Sequence, residues 1–95
     1  MEDFFTYILK CSDGSYYVGH TDDIVKRFAE HQDKKYAGYT ARRLPVELVF
    51  LQSFSSRDEA FIMEKRIQGW TRKKKEALIE KNWNELQKLA KKIFT

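Results

Sequence analysis

The chain has little of the residues that interrupt or cross-link a fold. Its 95 residues include one proline, one cysteine and four glycines. Because Cys11 has no second cysteine to pair with, an internal disulfide is excluded, and a lone thiol suits a reducing compartment. We therefore expect a cytoplasmic protein in which Cys11 is buried or lies at a strand edge.

Long apolar segments are also missing. No run approaches the roughly 18 residues of a membrane-spanning helix, and Met1-Glu2-Asp3 is acidic where a secretory signal is basic. We expect no membrane partner. Seven Phe, five Tyr and two Trp supply apolar area for a core, and 95 residues predict one domain, 1–95.

Charge is distributed unevenly along the chain. The net charge is +4, but residues 1–33 carry an excess of −4, residues 34–63 of +2 and residues 64–95 of +6. A basic C-terminal half indicates a surface for a polyanion. A solvated, lysine-rich set of helices explains the same charge equally well.

The first third predicts a β-hairpin followed by a helix. Phe4 to Cys11 and Tyr16 to Gly19 are rich in β-branched and aromatic residues, and turn residues separate them. The next helix is expected to run to about His31, after capping by Thr21, Asp22 or Asp23. Its predicted apolar stripe comprises Ile24, Val25, Phe28 and Ala29.

The rest of the chain predicts one more strand and three helices. Residues 32–45 are expected to form a long loop, and the apolar run Val46–Phe54 is typical of a strand in the middle of a sheet, buried on both faces. Helix caps are predicted at Ser56 (paired with Glu59), at Thr71, and at Asn82 (paired with Glu85). The corresponding helices would end near Gly69, near Ile79 or Glu80, and near residue 93.

These elements predict the α+β class. We expect a small, three-stranded, mostly antiparallel sheet, made of the hairpin and one buried strand, with helices flanking it. The sheet and the first helices would form a core over about residues 4–80. An amphipathic helix over about 83–93 would complete the domain.

Three polar side chains are predicted next to buried helix faces. Helical geometry places Arg27 and His31 beside the apolar stripe of the first helix, and Glu64 within the apolar side of a later helix. A buried carboxylate without a partner is costly, so Glu64 needs an Arg, a Lys or a metal ion. Taken singly, packing and ion pairing explain these residues, and also Tyr7 and Tyr17, at least as well as catalysis.

Taken together, these residues resemble the GIY-YIG nuclease family. Phe5-Thr6-Tyr7, which lacks the Gly and Ile of the first motif, and Tyr17-Val18-Gly19 correspond to its two motifs, and Arg27 and Glu64 follow in order and spacing. The resemblance runs from about Phe4 to Ile79 and is greatest to the small stand-alone members, which are related to the N-terminal nuclease domain of the excision-repair excinuclease and to homing endonucleases. His31 matches a His of the homing and restriction branches. The Asn that follows the Glu in the relatives has no clear equivalent.

The resemblance implies a metal-dependent endonuclease that hydrolyses DNA phosphodiester bonds, in repair or processing. The implied catalytic residues are Tyr7, Tyr17, Arg27, His31 and Glu64. Glu64 would hold one divalent ion, Mg²⁺ or Mn²⁺, and Tyr7 would take a proton from the attacking water. Arg27 would neutralise charge on the phosphate, while Tyr17 and His31 would orient the reacting groups. Gly19 would allow close approach of the backbone.

Basic and aromatic residues suggest where nucleic acid would bind, DNA more than RNA. They lie in the predicted long loop, beside Gly19 and around the second and third helices. The expected contacts are His20, Lys34, Lys35, Tyr36, Tyr39, Arg42, Arg43, Arg66, Arg72, Lys73, Lys74 and Lys75.

Two alternatives to an active nuclease remain open. One is a catalytically weak nucleic-acid-binding module of the same fold that acts with a protein partner. The other is a protein-interaction domain that uses the C-terminal amphipathic helix, but it leaves Arg27, His31 and Glu64 unexplained. The sequence does not determine the oligomeric state.

Overall fold

A computed structural model of the chain describes residues 3–33 and 38–94. These residues confirm the α+β class, with a three-stranded antiparallel sheet flanked by four helices. The elements, in order, are β1 (Phe4–Lys10), β2 (Tyr16–Thr21), α1 (Ile24–Gln32), a short 3₁₀ helix (Tyr39–Arg42), β3 (Glu47–Phe54), α2 (Arg57–Gln68), α3 (Arg72–Lys81) and α4 (Trp83–Phe94).

The hairpin strand β1, and not β3, is the central strand of the sheet. The strand order is β2-β1-β3, and Tyr7 lies opposite Gly19 on one side and Leu51 on the other. The prediction that 46–54 lies in the middle of the sheet is therefore wrong. The apolar run has another cause, because helices cover both faces of β3 and bury three consecutive residues, Val49–Leu51.

Successive side chains of β1 contribute to two separate cores, because side chains alternate between the faces of a strand. On one face Phe5, Tyr7 and Leu9 pack with residues of α1 and α4. On the other face Ile8 packs with Ile67 of α2 and with partly buried residues of α3. The sheet is thus covered on both faces, and β2 and β3 form its two edges.

The predicted helix starts at Ser56 and Thr71 are confirmed. The Ser56 hydroxyl accepts a hydrogen bond from Glu59 N at 3.2 Å, and the Thr71 hydroxyl accepts one from Lys74 N at 3.2 Å. Asn82 acts at both neighbouring helices, since its side chain donates to Leu78 O at 2.9 Å and its carbonyl accepts from Leu86 N at 2.9 Å. The side-chain caps explain why α2 and α3 begin where the sequence predicts. The predicted pairing of Asn82 with Glu85 as a cap of α4 is wrong, because the Asn82 side chain bonds to the end of α3 instead.

The apolar stripe predicted for α1 is only partly correct. Ile24 is buried and Phe28 is half-buried, but Val25 is 45% exposed and Ala29 is also exposed. The residues that face the sheet follow the spacing Ile24, Phe28 and His31, which is a narrower stripe than predicted. A polar residue, His31, therefore takes a place on the buried face.

None of the helices in residues 3–33 and 38–94 combines the length and the apolar character that crossing a bilayer requires.

Candidate functional site

Tyr7, Tyr17 and His31 form an aromatic cluster on the sheet face that α1 covers. The ring centroids are 6.2 Å apart for Tyr7 and Tyr17, 6.0 Å for Tyr7 and His31, and 5.1 Å for Tyr17 and His31. The Tyr7 hydroxyl lies 3.1 Å from His31 Nε2, and His31 Nδ1 lies 2.7 Å from the hydroxyl of Thr40. Both ring nitrogens of His31 are thus hydrogen-bonded to hydroxyl groups.

His31 is neutral at physiological pH. Burial lowers the pKa of its imidazole to about 4, and the charge of Arg27 acts in the same direction, while Glu30 opposes it. A neutral imidazole has one donor and one acceptor nitrogen, and a hydroxyl group can fill either role. Either neutral tautomer therefore satisfies both Tyr7 and Thr40.

Gly19 leaves the space that the two tyrosine rings occupy. A Cβ atom at this position would lie 2.6 Å from the Tyr7 hydroxyl oxygen and 3.1 Å from Cε1 of Tyr17. Real Cβ atoms do not approach other atoms as closely as 2.6 Å. The glycine is thus required by its neighbours, and the backbone of β2 passes directly beside the Tyr7 hydroxyl.

Glu64 lies on the opposite face of β2, where side-chain hydrogen-bond donors surround its carboxylate. Its Oε1 is 2.7 Å from His20 Nδ1, and its Oε2 accepts a hydrogen bond of 2.8 Å from Gln68 Nε2. Lys65 Nζ is 3.8 Å from the same Oε2. The residue is 8% exposed, so the expected buried carboxylate is present, and its contacts are a histidine, an amide and a lysine.

An exposed aromatic ring contacts two of the residues around the Glu64 carboxylate. Phe61 is 43% exposed, and its ring centroid is 5.4 Å from that of His20 in an edge-to-face arrangement. Lys65 Nζ is 5.2 Å from the same ring centroid. The carboxylate is thus flanked by an aromatic and cationic surface.

The predicted catalytic residues lie around the edge strand β2. Strand alternation places Tyr17 and Gly19 on the α1 side and His20, which contacts Glu64, on the α2 side. Arg27 is half-buried on α1, with its Nε 3.4 Å from Glu30 Oε1, and lines a polar cavity of about 130 Å³ next to Thr21. Tyr7, Tyr17 and His31 therefore form one cluster, and Arg27 lies one turn before His31 on α1, where its charge acts on the imidazole. Glu64 lies on the other side of β2.

Several predicted nucleic-acid contacts already pair with aromatic rings. The Arg43 guanidinium lies 3.9 Å from the ring centroid of Tyr39, which stacks on Tyr17. Arg72 and Lys74 similarly lie 4.7 Å and 4.3 Å from the rings of Tyr16 and Trp70. Arg42, Arg66 and Lys73 are exposed, and Lys75 is half-buried. Lys34, Lys35 and Tyr36 lie outside the described residues.

Two residues at the site, Thr40 and Gln68, were not predicted from the sequence. Gln68 follows Glu64 by four positions, the spacing at which helical side chains meet, so this signal was available. Thr40 reaches His31 from the 3₁₀ helix, and its local sequence carries no comparable signal. His20 was predicted to contact nucleic acid, and the structure places its imidazole against the Glu64 carboxylate.

The protein ligands for a metal ion are few. Within residues 3–33 and 38–94, no three His, Cys, Asp or Glu side chains are grouped closely enough to hold an ion. Mg²⁺ usually keeps several waters and binds one or two carboxylates together with substrate phosphates. The Glu64 carboxylate fits an ion of that kind and does not form an all-protein metal cage.

The fold is that of a GIY-YIG domain. The model of the GIY-YIG catalytic domain family matches residues 3–77, and the chain belongs to this family. Its relatives include the UPF0213 protein YazA of Bacillus subtilis, 49% identical over 80 residues that cover 84% of this chain and 81% of that protein. The UPF0213 protein VNG_2274C of Halobacterium salinarum is 47% identical over 72 residues, with 76% and 94% covered.

Two solved structures share the fold. The solution NMR structure of the UPF0213 protein BH0048 from Bacillus halodurans has a TM-score of 0.58 and 38% identity, and the match covers 85% of this chain and 86% of that one. The NMR structure of EF2693 from E. faecalis has a TM-score of 0.59 and 36% identity, with 85% and 90% covered. Membership in a nuclease family makes nucleic acid the expected ligand.

Proposed function

We propose that the chain is a metal-dependent endonuclease that hydrolyses DNA phosphodiester bonds, in repair or processing. The main support is the Glu64 carboxylate, which is buried and hydrogen-bonded at the sheet edge in a chain of the GIY-YIG family. Burial of a carboxylate costs free energy, and the Glu64 carboxylate keeps acceptor capacity beyond its bonds to His20 and Gln68. A bound divalent ion would use that capacity and would further offset the cost of burial.

Glu64 would hold a divalent ion, Mg²⁺ or Mn²⁺, at this edge. The ion would supply positive charge to the scissile phosphate when bound. The hydrogen bonds from His20 and Gln68 hold the carboxylate in one orientation, and a carboxylate has about four lone-pair sites, more than these two bonds use. The local geometry is therefore compatible with a protein carboxylate that binds an ion and a phosphate together.

Tyr7 would take the proton of the attacking water, and His31 would support this role. A phenol has a pKa near 10 and acts as a base only where its phenolate is stabilised. In the tautomer in which the Thr40 hydroxyl donates to Nδ1, the Nε2–H of His31 donates to the Tyr7 oxygen. This hydrogen bond favours the phenolate, and the low pKa of His31 keeps the imidazole neutral.

Arg27 and Tyr17 would complete the site. The Arg27 guanidinium would stabilise the charge that develops on the phosphate, since electrostatic stabilisation is commonly the largest catalytic contribution. Tyr17 is half-buried next to His31 and would orient the water or the phosphate. Gly19 would let the backbone of β2 lie close to the Tyr7 and Tyr17 rings without a side chain in the way.

A binding module of the same fold is the second candidate. It is favoured by the 1% exposure of Tyr7 and by the ion pair of Arg27 with Glu30, because both restrict the access of a phosphate to these groups. In this case the exposed arginines and lysines would bind nucleic acid, and cleavage would be slow or would need a protein partner. Salt-sensitive binding without cleavage would identify this function.

The experiment that tests the nuclease is a cleavage assay with Glu64→Gln and a panel of substrates. Duplex, single-stranded and branched DNA and RNA are incubated with Mg²⁺ or Mn²⁺. The substitution removes the negative charge and keeps the shape, so we expect the cleavage rate to fall at least about 100-fold while binding persists.

Glu59→Gln is the matched control, since Glu59 is exposed in the first turn of the same helix. It should cleave like the unsubstituted protein. Equal cleavage by Glu64→Gln would show that Glu64 does not hold the ion. No cleavage of any substrate by the unsubstituted protein, with binding intact, would favour the binding module.

A further inference from the structure

Gln68 ties the Glu64 carboxylate to the edge of the sheet. Its Nε2 donates a hydrogen bond of 2.8 Å to Glu64 Oε2 and one of 3.3 Å to the backbone carbonyl of Val18 in β2. A carboxamide nitrogen carries two hydrogens and can make both bonds at once. One side chain therefore fixes the carboxylate relative to both α2 and β2.

The surroundings determine which end of the Gln68 amide faces Glu64. Lys65 Nζ lies 3.5 Å from Gln68 Oε1 and 3.8 Å from Glu64 Oε2. If the amide were reversed, its oxygen would face the carboxylate and the Val18 carbonyl, and both are acceptors. The amide must therefore present its donor end to Glu64.

We propose that Gln68 is a positioning residue that holds Glu64 in the orientation in which it binds the divalent ion. The inference rests on the proposed function, in which Glu64 is the metal ligand. A glutamate side chain loses rotamer freedom when it is held in place, and a single protein ligand has no neighbouring ligands to fix it. Residues that orient a metal ligand affect metal affinity or activity by about 10- to 100-fold when they are changed.

The test replaces Gln68 by methionine, which has a similar length and cannot donate. Mn²⁺ binding to the protein without DNA is followed by loss of the free-ion EPR signal, and the cleavage rate is measured against Mg²⁺ concentration. We expect Gln68→Met to weaken Mn²⁺ binding about 10- to 100-fold and to raise the Mg²⁺ concentration for half-maximal cleavage by a similar factor. Saturating metal should restore much of the rate.

Two comparison variants separate this inference from the proposed function. Gln87→Met, on the exposed part of α4, should change neither measurement. Thermal unfolding of each variant checks that its fold is kept. Glu64→Gln should bind Mn²⁺ more weakly than Gln68→Met. If Glu64→Gln binds poorly and Gln68→Met binds normally, the positioning role is wrong and the metal ligand stands. If Glu64→Gln binds Mn²⁺ normally, both are wrong.

Discussion

At position 19, the neighbouring atoms determine that the residue is a glycine. Its backbone is not in the left-handed region that favours glycine, so an alanine would meet no strain in the main chain. The restriction comes from Tyr7, which is 1% exposed and hydrogen-bonded to His31. A methyl group at residue 19 would therefore act on the tyrosine cluster.

We expect Gly19→Ala to displace the Tyr7 ring, to lower the free energy of unfolding by about 1–3 kcal/mol and to abolish cleavage. Urea denaturation and a cleavage assay check this. Gly69→Ala is the control, because a Cβ there would be 3.5 Å from the nearest atom, an ordinary contact. It should change stability by less than about 1 kcal/mol. Normal cleavage by Gly19→Ala would show that the position of Tyr7 is not critical.

His31 predicts how stability depends on pH. Its pKa is about 4 in the folded protein and near 6.5 in an unfolded chain, so the unfolded chain binds the proton first as the pH falls. The contribution of His31 to stability is therefore complete above pH 6.5 and decreases as the pH falls from 6.5 to 4.

We expect the free energy of unfolding to fall between pH 7 and pH 4 by on the order of 3 kcal/mol more in the unsubstituted protein than in His31→Gln. Urea denaturation at several pH values measures how the free energy of unfolding of each protein changes with pH, and the two slopes are then compared. The comparison of slopes cancels the constant cost of the substitution. Equal slopes would mean that His31 does not titrate differently in the two states.

At the scale of the elements, local signals predicted the helices better than the sheet order. Helix caps depend on residues three positions apart, so Ser56 and Thr71 could be identified from the sequence. The position of β3 depends on which strands pair and on which helices cover them. An apolar run reports burial, and it cannot distinguish a central strand from a covered edge strand.

In the candidate site too, some features follow from local sequence and others depend on tertiary packing. The sequence placed Glu64 on a buried helix face because that depends on helical geometry alone. The contact of His20 with Glu64 joins residues 44 positions apart. It requires the register of β2 and the packing of α2 on the sheet, and local sequence determines neither. The pairing of Thr40 with His31 has the same origin.

We expect Ser56→Ala to lower the free energy of unfolding by about 1 kcal/mol, because an N–H at the start of α2 loses its acceptor. Ser55→Ala is the matched control, since Ser55 is the exposed neighbour and precedes the cap. Urea denaturation of both variants measures the difference. A Ser55→Ala protein as unstable as Ser56→Ala would show that the cap contributes no stability of its own.

At the scale of the whole molecule, the structure separates two basic regions. Lys73 belongs to α3, near the end of the segment that matches the family at residues 3–77. Lys88 belongs to α4, which packs on β3. Since β2 and β3 are opposite edges of the sheet, α4 lies on the side away from Glu64. The basic residues of α3 and α4 should therefore differ in their contribution to binding.

We expect Lys73→Ala to weaken DNA binding. The slope of log K against log salt concentration should become less steep by about 0.9, the value for one lost phosphate contact. Lys88→Ala removes the same charge and should bind like the unsubstituted protein. Fluorescence anisotropy with labelled DNA at several salt concentrations measures both. An equal loss in the two variants would indicate that total charge, and not location, determines affinity.

The two tryptophans lie in different surroundings and give the molecule a built-in optical reporter. Trp70 lies in the turn between α2 and α3, partly buried, with Lys74 Nζ 4.3 Å from its ring, and Trp83 begins α4 and is 41% exposed. Replacing the exposed Trp83 with Phe leaves one fluorophore beside the proposed DNA-binding surface. We expect its emission to change as that surface is occupied, so that binding can be followed without a label on either molecule.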